Sequence, residues 1–117
     1  MKESDLMKGI KTCLTRLRNS GKLYPIRLNS GKIFTINRTV VELCEEGTAD
    51  WVVFEGYTIR PEDVGKLICK ASFLEGKSKS GKQSPAQGAF QKIVEMLGGE
   101  YKIIRDVQEV IDRYGEL

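Results

Sequence analysis

The chain has 117 residues (13.2 kDa) and a net charge of +3, and its 40% hydrophobic and 30% charged composition predicts one domain, 1–117, with a buried core. The absence of histidine excludes Ser-His-Asp and Cys-His catalysis and any imidazole ligand for zinc. No apolar run reaches the roughly 18–20 residues of a membrane span, and no secretory signal opens the sequence. The three scattered cysteines lack disulfide or zinc spacing, so we expect a reduced, cytoplasmic protein without membrane contact.

The first third of the chain predicts a helix followed by a hairpin. Apolar residues recur at helical spacing over 5–19, and Ser4 is placed to cap the helix. Segments 24–28 and 32–37 flank an Asn-Ser-Gly turn and predict a β-hairpin. Segment 38–44 is apolar enough for a strand or a short helix, and the pattern leaves both open.

The middle of the chain predicts two strands and two connections. Segment 51–54, Trp-Val-Val-Phe, is an aromatic and β-branched run typical of a buried strand. Segment 55–65 contains glycine, proline and three acids and is expected to be a connection. Segment 67–75 predicts a further strand, and the polar, lysine-rich segment 78–83 predicts a turn.

The last third contains the clearest helix signal. Ser84 is placed as an N-cap, a proline follows at the first helical position, and Gln87 can complete a capping box for a helix that ends at Gly98. A strand over 101–104 and a final helix over 106–114 follow. The order of elements predicts a small α/β (α+β) domain, a central mixed β-sheet flanked by helices.

Charge alternates in blocks along the sequence. Residues 1–38 carry nine bases against two acids, 39–65 seven acids against one base, 66–92 six bases against one acid, and 93–117 six acids against three bases. A basic face interrupted by an acidic cluster is expected where a polyanion is held around a bound cation. A solvated surface of mixed charge explains the same pattern, and charge alone does not choose between the two.

Three charged residues stand out against apolar surroundings. Asp50 directly precedes the strand at 51–54, Glu75 ends the strand at 67–75, and Lys77 follows two positions later, on the same side of an extended chain. If the two strands are neighbours, two carboxylates converge beside an ammonium group. Carboxylate oxygens suit Mg²⁺ or Mn²⁺, which can activate water for phosphate chemistry without histidine. The alternative for Glu75 and Lys77 is an ordinary surface ion pair at a strand end.

Four segments extend this pattern along nearly the whole chain: Ile-Arg-Leu-Asn-Ser-Gly at 26–31, Gly-Thr-Ala-Asp-Trp at 47–51, Leu-Glu-Gly-Lys-Ser-Lys-Ser-Gly-Lys at 74–82 and Ser-Pro-Ala-Gln at 84–87. In order and spacing they resemble the VRR-NUC (virus-type replication-repair nuclease) family of the PD-(D/E)xK nuclease superfamily. The resemblance implies a small restriction-endonuclease-like core.

The resemblance also implies a metal site. Asp50 and Glu75 would ligate the ion, the main-chain carbonyl of Gly76 would be a further ligand, and Glu3 at the start of the first helix would reach the metal through water. One position departs from the family: Gly76 stands where an apolar β-branched residue is usual, which weakens the strand locally.

Further roles follow for four basic residues and one amide. Lys77 would be the catalytic lysine, and Gln87 matches a glutamine that supports the site, with the capping box as its structural alternative. Arg27, Lys79 and Lys82 are candidate contacts to DNA phosphates, and solvated positions are the alternative for the two lysines.

The function implied is a Mg²⁺- or Mn²⁺-dependent DNA endonuclease. The resemblance is to the short stand-alone members of phages and prophages, which implies a phage or prophage protein in a bacterial host, a homodimer, and resolution of four-way (Holliday) junctions or related branched DNA. A small chain offers little surface for reading base edges, which favours recognition of DNA shape. Two alternatives remain, a noncatalytic DNA-binding module and a small phage regulatory protein.

Overall fold

The computed structural model describes residues 2–115, and within them three helices and six strands form an α+β domain. A mixed four-stranded sheet lies at its centre, a separate two-stranded ribbon stands apart from it, and a short 3₁₀ turn occupies Pro61–Asp63. The elements are α1 (Glu3–Asn19), β1 (Leu23–Arg27), β2 (Lys32–Phe34), β3 (Val40–Glu42), β4 (Trp51–Glu55), β5 (Ala71–Gly76), α2 (Pro85–Met96), β6 (Glu100–Ile104) and α3 (Val107–Tyr114).

The strand order of the central sheet is β1-β4-β5-β6, and only the β5–β6 pair is parallel. Arg27 pairs with Trp51, Trp51 with Leu74, and Gly76 with Ile104. Because of these directions, β4 begins where β1, β5 and β6 end. We call this end of the sheet the carboxylate edge, since Asp50 and Glu75 both lie there.

Apolar residues on alternating strand positions divide the core between the two faces of the sheet. The larger core lies under α1 and α3 and contains Leu6, Ile10, Leu14, Leu17, Leu23, Trp51, Val53, Leu74, Ile104 and Val110. The smaller core lies under α2 and is built from Ala49, Val94 and Tyr101, with Phe73, Phe90 and Ile103 packed against it. Across residues 2–115, no helix combines the length and apolar character needed to cross a membrane.

Most predicted elements are confirmed, with corrections at their ends. The first helix begins at Glu3, so Lys2 rather than Ser4 occupies the N-cap position, and no side chain caps it. The strand predicted over 67–75 is shorter, because regular pairing begins only at Ala71. The capping box at Ser84 forms as the sequence predicts, and a second capping box forms at Asp106 at the start of the last helix.

The hairpin predicted from segments 24–28 and 32–37 is wrong. β1 pairs with β4 in the central sheet, while β2 pairs with β3 through a turn in which Arg38 has a φ of +61°. Pairing with β4 lets β1 bury Leu23 against the larger core, and Pro25, which has no N–H to donate, is tolerated because β1 is an edge strand. Segment 38–44 therefore supplies a strand, not a helix. We call the β2–β3 ribbon, residues 32–42, the arm.

Candidate functional site

The carboxylate edge brings together the three charged residues singled out in the sequence. Asp50 stands immediately before β4, Glu75 lies in β5, and Lys77 follows the end of β5. The main-chain N–H of Lys77 donates to the carbonyl of Ile104 (2.9 Å), which carries the β5–β6 pairing one step further. Adjacent strands of a packed sheet thus hold all three residues.

Asp50 is held by both its side chain and its main chain. Its Oδ2 accepts the N–H of Gly76 (2.7 Å), and its carbonyl accepts the N–H of Leu28 (2.7 Å) and Nη1 of Arg27 (2.8 Å). Nη1 of Arg27 also lies 3.6 Å from Oδ1 of Asp50. Burial raises the pKa of Asp50, and the hydrogen bond from Gly76 and the charge of Arg27 oppose that rise.

Glu75 is a buried carboxylate, and within the described chain only one of its two oxygens accepts a hydrogen bond. Its side chain is 1% exposed, its Oε1 accepts the hydroxyl of Tyr101, and its Oε2 accepts no hydrogen bond within the described chain. The nearby cation is Lys77, whose Nζ lies 3.8 Å from Oε2. Burial is the main cause that raises the pKa of Glu75, and the negative charges of Asp50 and Glu3 add to it. A buried carboxylate oxygen without a donor is unfavourable unless a cation satisfies it.

The donor set limits which metal ion could be held at this edge. Within residues 2–115, no group of three histidine, cysteine, aspartate or glutamate side chains could hold a metal ion. Asp50 and Glu75 are thus two carboxylates that no histidine or cysteine of the described residues joins as a further metal ligand. Mg²⁺ is commonly bound by one or two carboxylates and keeps several waters, so these residues fit Mg²⁺ or Mn²⁺ and not the ligand set typical of zinc. Glu3 is exposed at the start of α1, near enough for its charge to raise the pKa of both carboxyls.

Tyr101 is a site residue that no pattern in the sequence indicates. It lies in β6, is 8% exposed, and donates its hydroxyl to Glu75. The ring of Phe90 packs edge-on against it with centroids 6.0 Å apart, and the amide of Gln83 lies next to the hydroxyl. Burial and the bond to Glu75 raise the pKa of Tyr101, so the hydroxyl keeps its proton and remains a donor. Only the strand order, with β6 beside β5, could have indicated this contact.

Arg105 is a second residue outside the predicted site. It follows β6 at the carboxylate edge, and its Nη1 donates to the carbonyls of Ser78 (2.6 Å) and Gly81 (2.8 Å). The turn that it holds carries Lys79 and Lys82, both exposed. Arg105 therefore fixes the backbone that presents the two lysines beside the carboxylates.

Arg27 and Gln87 are both engaged by other parts of the protein. The guanidinium of Arg27 contacts Asp50 as described and also lies over the ring of Trp51, 5.0 Å from its centroid. Oε1 of Gln87 accepts the N–H of Ser84 (2.8 Å), and the N–H of Gln87 donates to Oγ of Ser84 (3.1 Å). Arg27 thus belongs to the carboxylate edge, while the observed contacts of Gln87 are those of the capping box.

Two glycines allow close approaches at this edge. Gly47 has a φ of +93°, and a Cβ on it would lie 2.5 Å from the carbonyl oxygen of Ala86, so the segment before Asp50 packs directly on the first turn of α2. A Cβ on Gly76 would lie 2.7 Å from Sδ of Met7. Met7 of α1 therefore lies where a larger residue at position 76 would begin, and its flexible side chain would have to shift to make room for one.

Comparisons of this chain with models of protein families, with curated proteins and with solved structures find no match.

Proposed function

We propose that the protein is a divalent-metal-dependent endonuclease that hydrolyses phosphodiester bonds of branched DNA. The observation that carries the proposal is the buried Glu75, whose Oε2 accepts no hydrogen bond from residues 2–115 and lies 3.8 Å from Nζ of Lys77. Asp50 lies at the same edge with its carboxylate only partly exposed. Two carboxylates and one ammonium group at the end of a sheet match the Asp and Glu-x-Lys pattern of the resemblance.

Asp50 and Glu75 would hold Mg²⁺ or Mn²⁺, with the carbonyl of Gly76 and a water-mediated contact from Glu3 as further contributions in our proposal. The bound ion would polarise the scissile phosphate and lower the pKa of a water molecule. The raised pKa values of Asp50 and Glu75 support this assignment, because a cation between a buried and a partly buried carboxylate offsets the cost of desolvating their charges and their mutual repulsion.

Lys77 supplies the positive charge that does not depend on a metal. Its side chain is 17% exposed, and Glu75 holds its Nζ at the carboxylate edge. A preorganised ammonium group in a partly desolvated site stabilises negative charge that develops on a phosphate in the transition state. Arg27, Lys79 and Lys82 would contact phosphates around the scissile bond, with Arg105 keeping the lysine turn in place.

The substrate in this proposal is branched DNA, with a four-way junction as its most specific form. Cutting such a junction symmetrically requires two active sites, and a homodimer with a twofold axis supplies them. The oligomeric state follows from the resemblance to the stand-alone nucleases, and sedimentation of the full chain tests it directly.

The test is cleavage of labelled four-way junction, flap and linear duplex DNA with Mg²⁺, with Mn²⁺ and with chelator. Wild type is compared with Lys77→Ala and with Lys92→Ala, a change to an exposed lysine on α2. We expect metal-dependent cleavage that Lys77→Ala lowers by about 10²- to 10³-fold, while Lys92→Ala does not. A wild type that binds the junction but cuts it with neither metal would instead be a noncatalytic DNA-binding module.

A further inference from the structure

The arm has an unusual surface for a part of a folded protein. β2 and β3 contact each other and no other helix or strand of the described chain. Phe34 is 78% exposed, Ile36 is fully exposed, and Ile33, Val40 and Val41 are also exposed. A two-stranded ribbon is marginally stable alone. Clustered exposed apolar side chains commonly mark the binding surface for a partner molecule or ligand.

The arm is joined to the carboxylate edge by the segments 28–31 and 43–50. The chain leaves the central sheet at Arg27 and returns to it at Trp51, and these two residues are paired. At the base of the arm, Leu28 donates to the carbonyl of Asp50 (2.7 Å) and Cys44 donates to the carbonyl of Asn29 (2.7 Å). A ligand held at Asp50 would therefore lie close to the base of the arm.

The charge of the arm differs between its base and its tip. The base holds Lys32 and Glu42, which are paired across the ribbon (3.7 Å), and two further glutamates follow at 45 and 46. Residues 33–41 contain Arg38 and no acid. The exposed apolar side chains of the tip are thus presented beside a cation and away from the acids, as expected for contact with nucleic acid.

We propose that the arm is a branch-point reader: Phe34 and Ile36 pack against the base faces exposed where a DNA duplex ends at a branch, and Lys32 and Arg38 contact the flanking phosphates. Aromatic and aliphatic side chains stack on or wedge between bases in many DNA-binding proteins. Inside a continuous duplex every base face is stacked on its neighbour, so away from its two ends a linear duplex offers the arm no base face, and the arm would favour branched DNA. The inference rests on the proposed function for DNA as the ligand, and it adds how the branch is recognised.

The test uses the double variant Phe34→Ser/Ile36→Ser. Cleavage of a four-way junction and of linear duplex of the same sequence is measured with Mn²⁺. The matched control is Val64→Ser/Met96→Ser, which changes two exposed apolar residues outside the arm. We expect the ratio of junction to duplex cleavage to fall by about 10-fold or more in the arm variant, with duplex cleavage within about twofold of wild type. The control should keep the wild-type ratio.

A binding experiment in chelator separates this inference from the proposed catalysis. A 2-aminopurine base at the branch point becomes more fluorescent or less fluorescent when its stacking changes, and wild type but not the arm variant should alter it. That result supports the arm as a reader even if no DNA is cut, in which case only the nuclease proposal fails. An unchanged junction-to-duplex binding ratio in the arm variant overturns the inference. So does a change from dimer to monomer on sedimentation, because the arm would then bind a second copy.

Discussion

The carboxylate edge and the arm are joined by a few residues of chain and differ in almost every physical respect. The edge is held by neighbouring strands, by hydrogen bonds to Asp50 and Glu75, and by packing of Met7 on Gly76. The arm is held by its own cross-strand pairs and by the Thr35–Thr39 turn. Charged groups are therefore buried or partly buried where several elements meet, and apolar groups are exposed where the ribbon contacts no other helix or strand of the described chain.

This contrast suits the two tasks that we propose for the edge and the arm. Chemistry on a phosphate requires charged groups that are already in position, because reorganisation during the reaction raises the barrier. Recognition of a branched ligand requires a surface that can adjust to it. Substitutions at the edge should consequently change stability, metal binding and catalysis together, whereas substitutions in the arm should change recognition alone.

The largest expected effect is that of Glu75→Gln. Burial raises the pKa of Glu75, so its ionised form destabilises the fold progressively as the pH rises from the unfolded-state pKa through the folded-state pKa. In chelator at neutral pH, Glu75→Gln should therefore unfold at the same temperature as wild type or higher. Wild type should gain about 2.7 kcal/mol at a metal concentration about 100 times the Kd, and Glu75→Gln should gain almost none. Thermal unfolding with and without Mn²⁺ measures both.

The matched control for this change is Glu62→Gln, which removes an exposed carboxylate in the connection between β4 and β5. It should keep the full stabilisation by Mn²⁺. If Glu75→Gln were stabilised by Mn²⁺ as strongly as wild type, the metal would bind somewhere other than the carboxylate edge.

The next prediction tests the close packing of Met7 on Gly76 at the carboxylate edge. Gly76→Val should cost about 1–3 kcal/mol of unfolding free energy, because its side chain collides with Met7. Combining it with Met7→Ala should cost less than the sum of the two single changes by about 1 kcal/mol, since the second change makes room for the first. Urea unfolding of the four proteins gives this coupling. Strict additivity would show that the glycine is not explained by Met7.

A smaller effect is expected from Tyr101→Phe, which removes one hydroxyl and keeps the ring against Phe90. In wild type the hydrogen bond from Tyr101 lowers the pKa of Glu75, so its loss should raise that pKa further. Metal binding needs the ionised carboxylate, and the pH at which Mn²⁺ begins to stabilise the protein should move upward. At neutral pH the metal affinity should fall by about 10-fold. Identical pH profiles for the two proteins would contradict a role for Tyr101 in positioning Glu75.

The sequence predicts local features well, but it predicts poorly which strands pair and which side chains meet across the sheet. The capping box of Ser84 and Gln87 and the positions of Asp50, Glu75 and Lys77 on the fold follow from local patterns. The pairing of β1 does not follow from a local pattern. A short alternating segment can pair with β2 or with β4, and the burial of its apolar residues in the core selects β4. Tyr101 was missed for the same reason: its contact with Glu75 depends on β6 lying beside β5, which no spacing in the chain encodes.

The smallest expected effect concerns the arm, where Phe34→Ser/Ile36→Ser should change the unfolding free energy by no more than about 0.5 kcal/mol. These side chains are exposed in a ribbon that contacts no other helix or strand of the described chain, so their loss removes no packing from either core. Leu14→Ala, a change within the larger core, should by contrast cost about 2–5 kcal/mol in the same urea titration. Amide exchange in the arm should be fast in both wild type and arm variant, because a ribbon that contacts no other helix or strand of residues 2–115 opens without unfolding the sheet. A loss above about 1 kcal/mol in the arm variant would mean that the arm packs against protein in solution, and the contrast between a rigid edge and an independent arm would not hold.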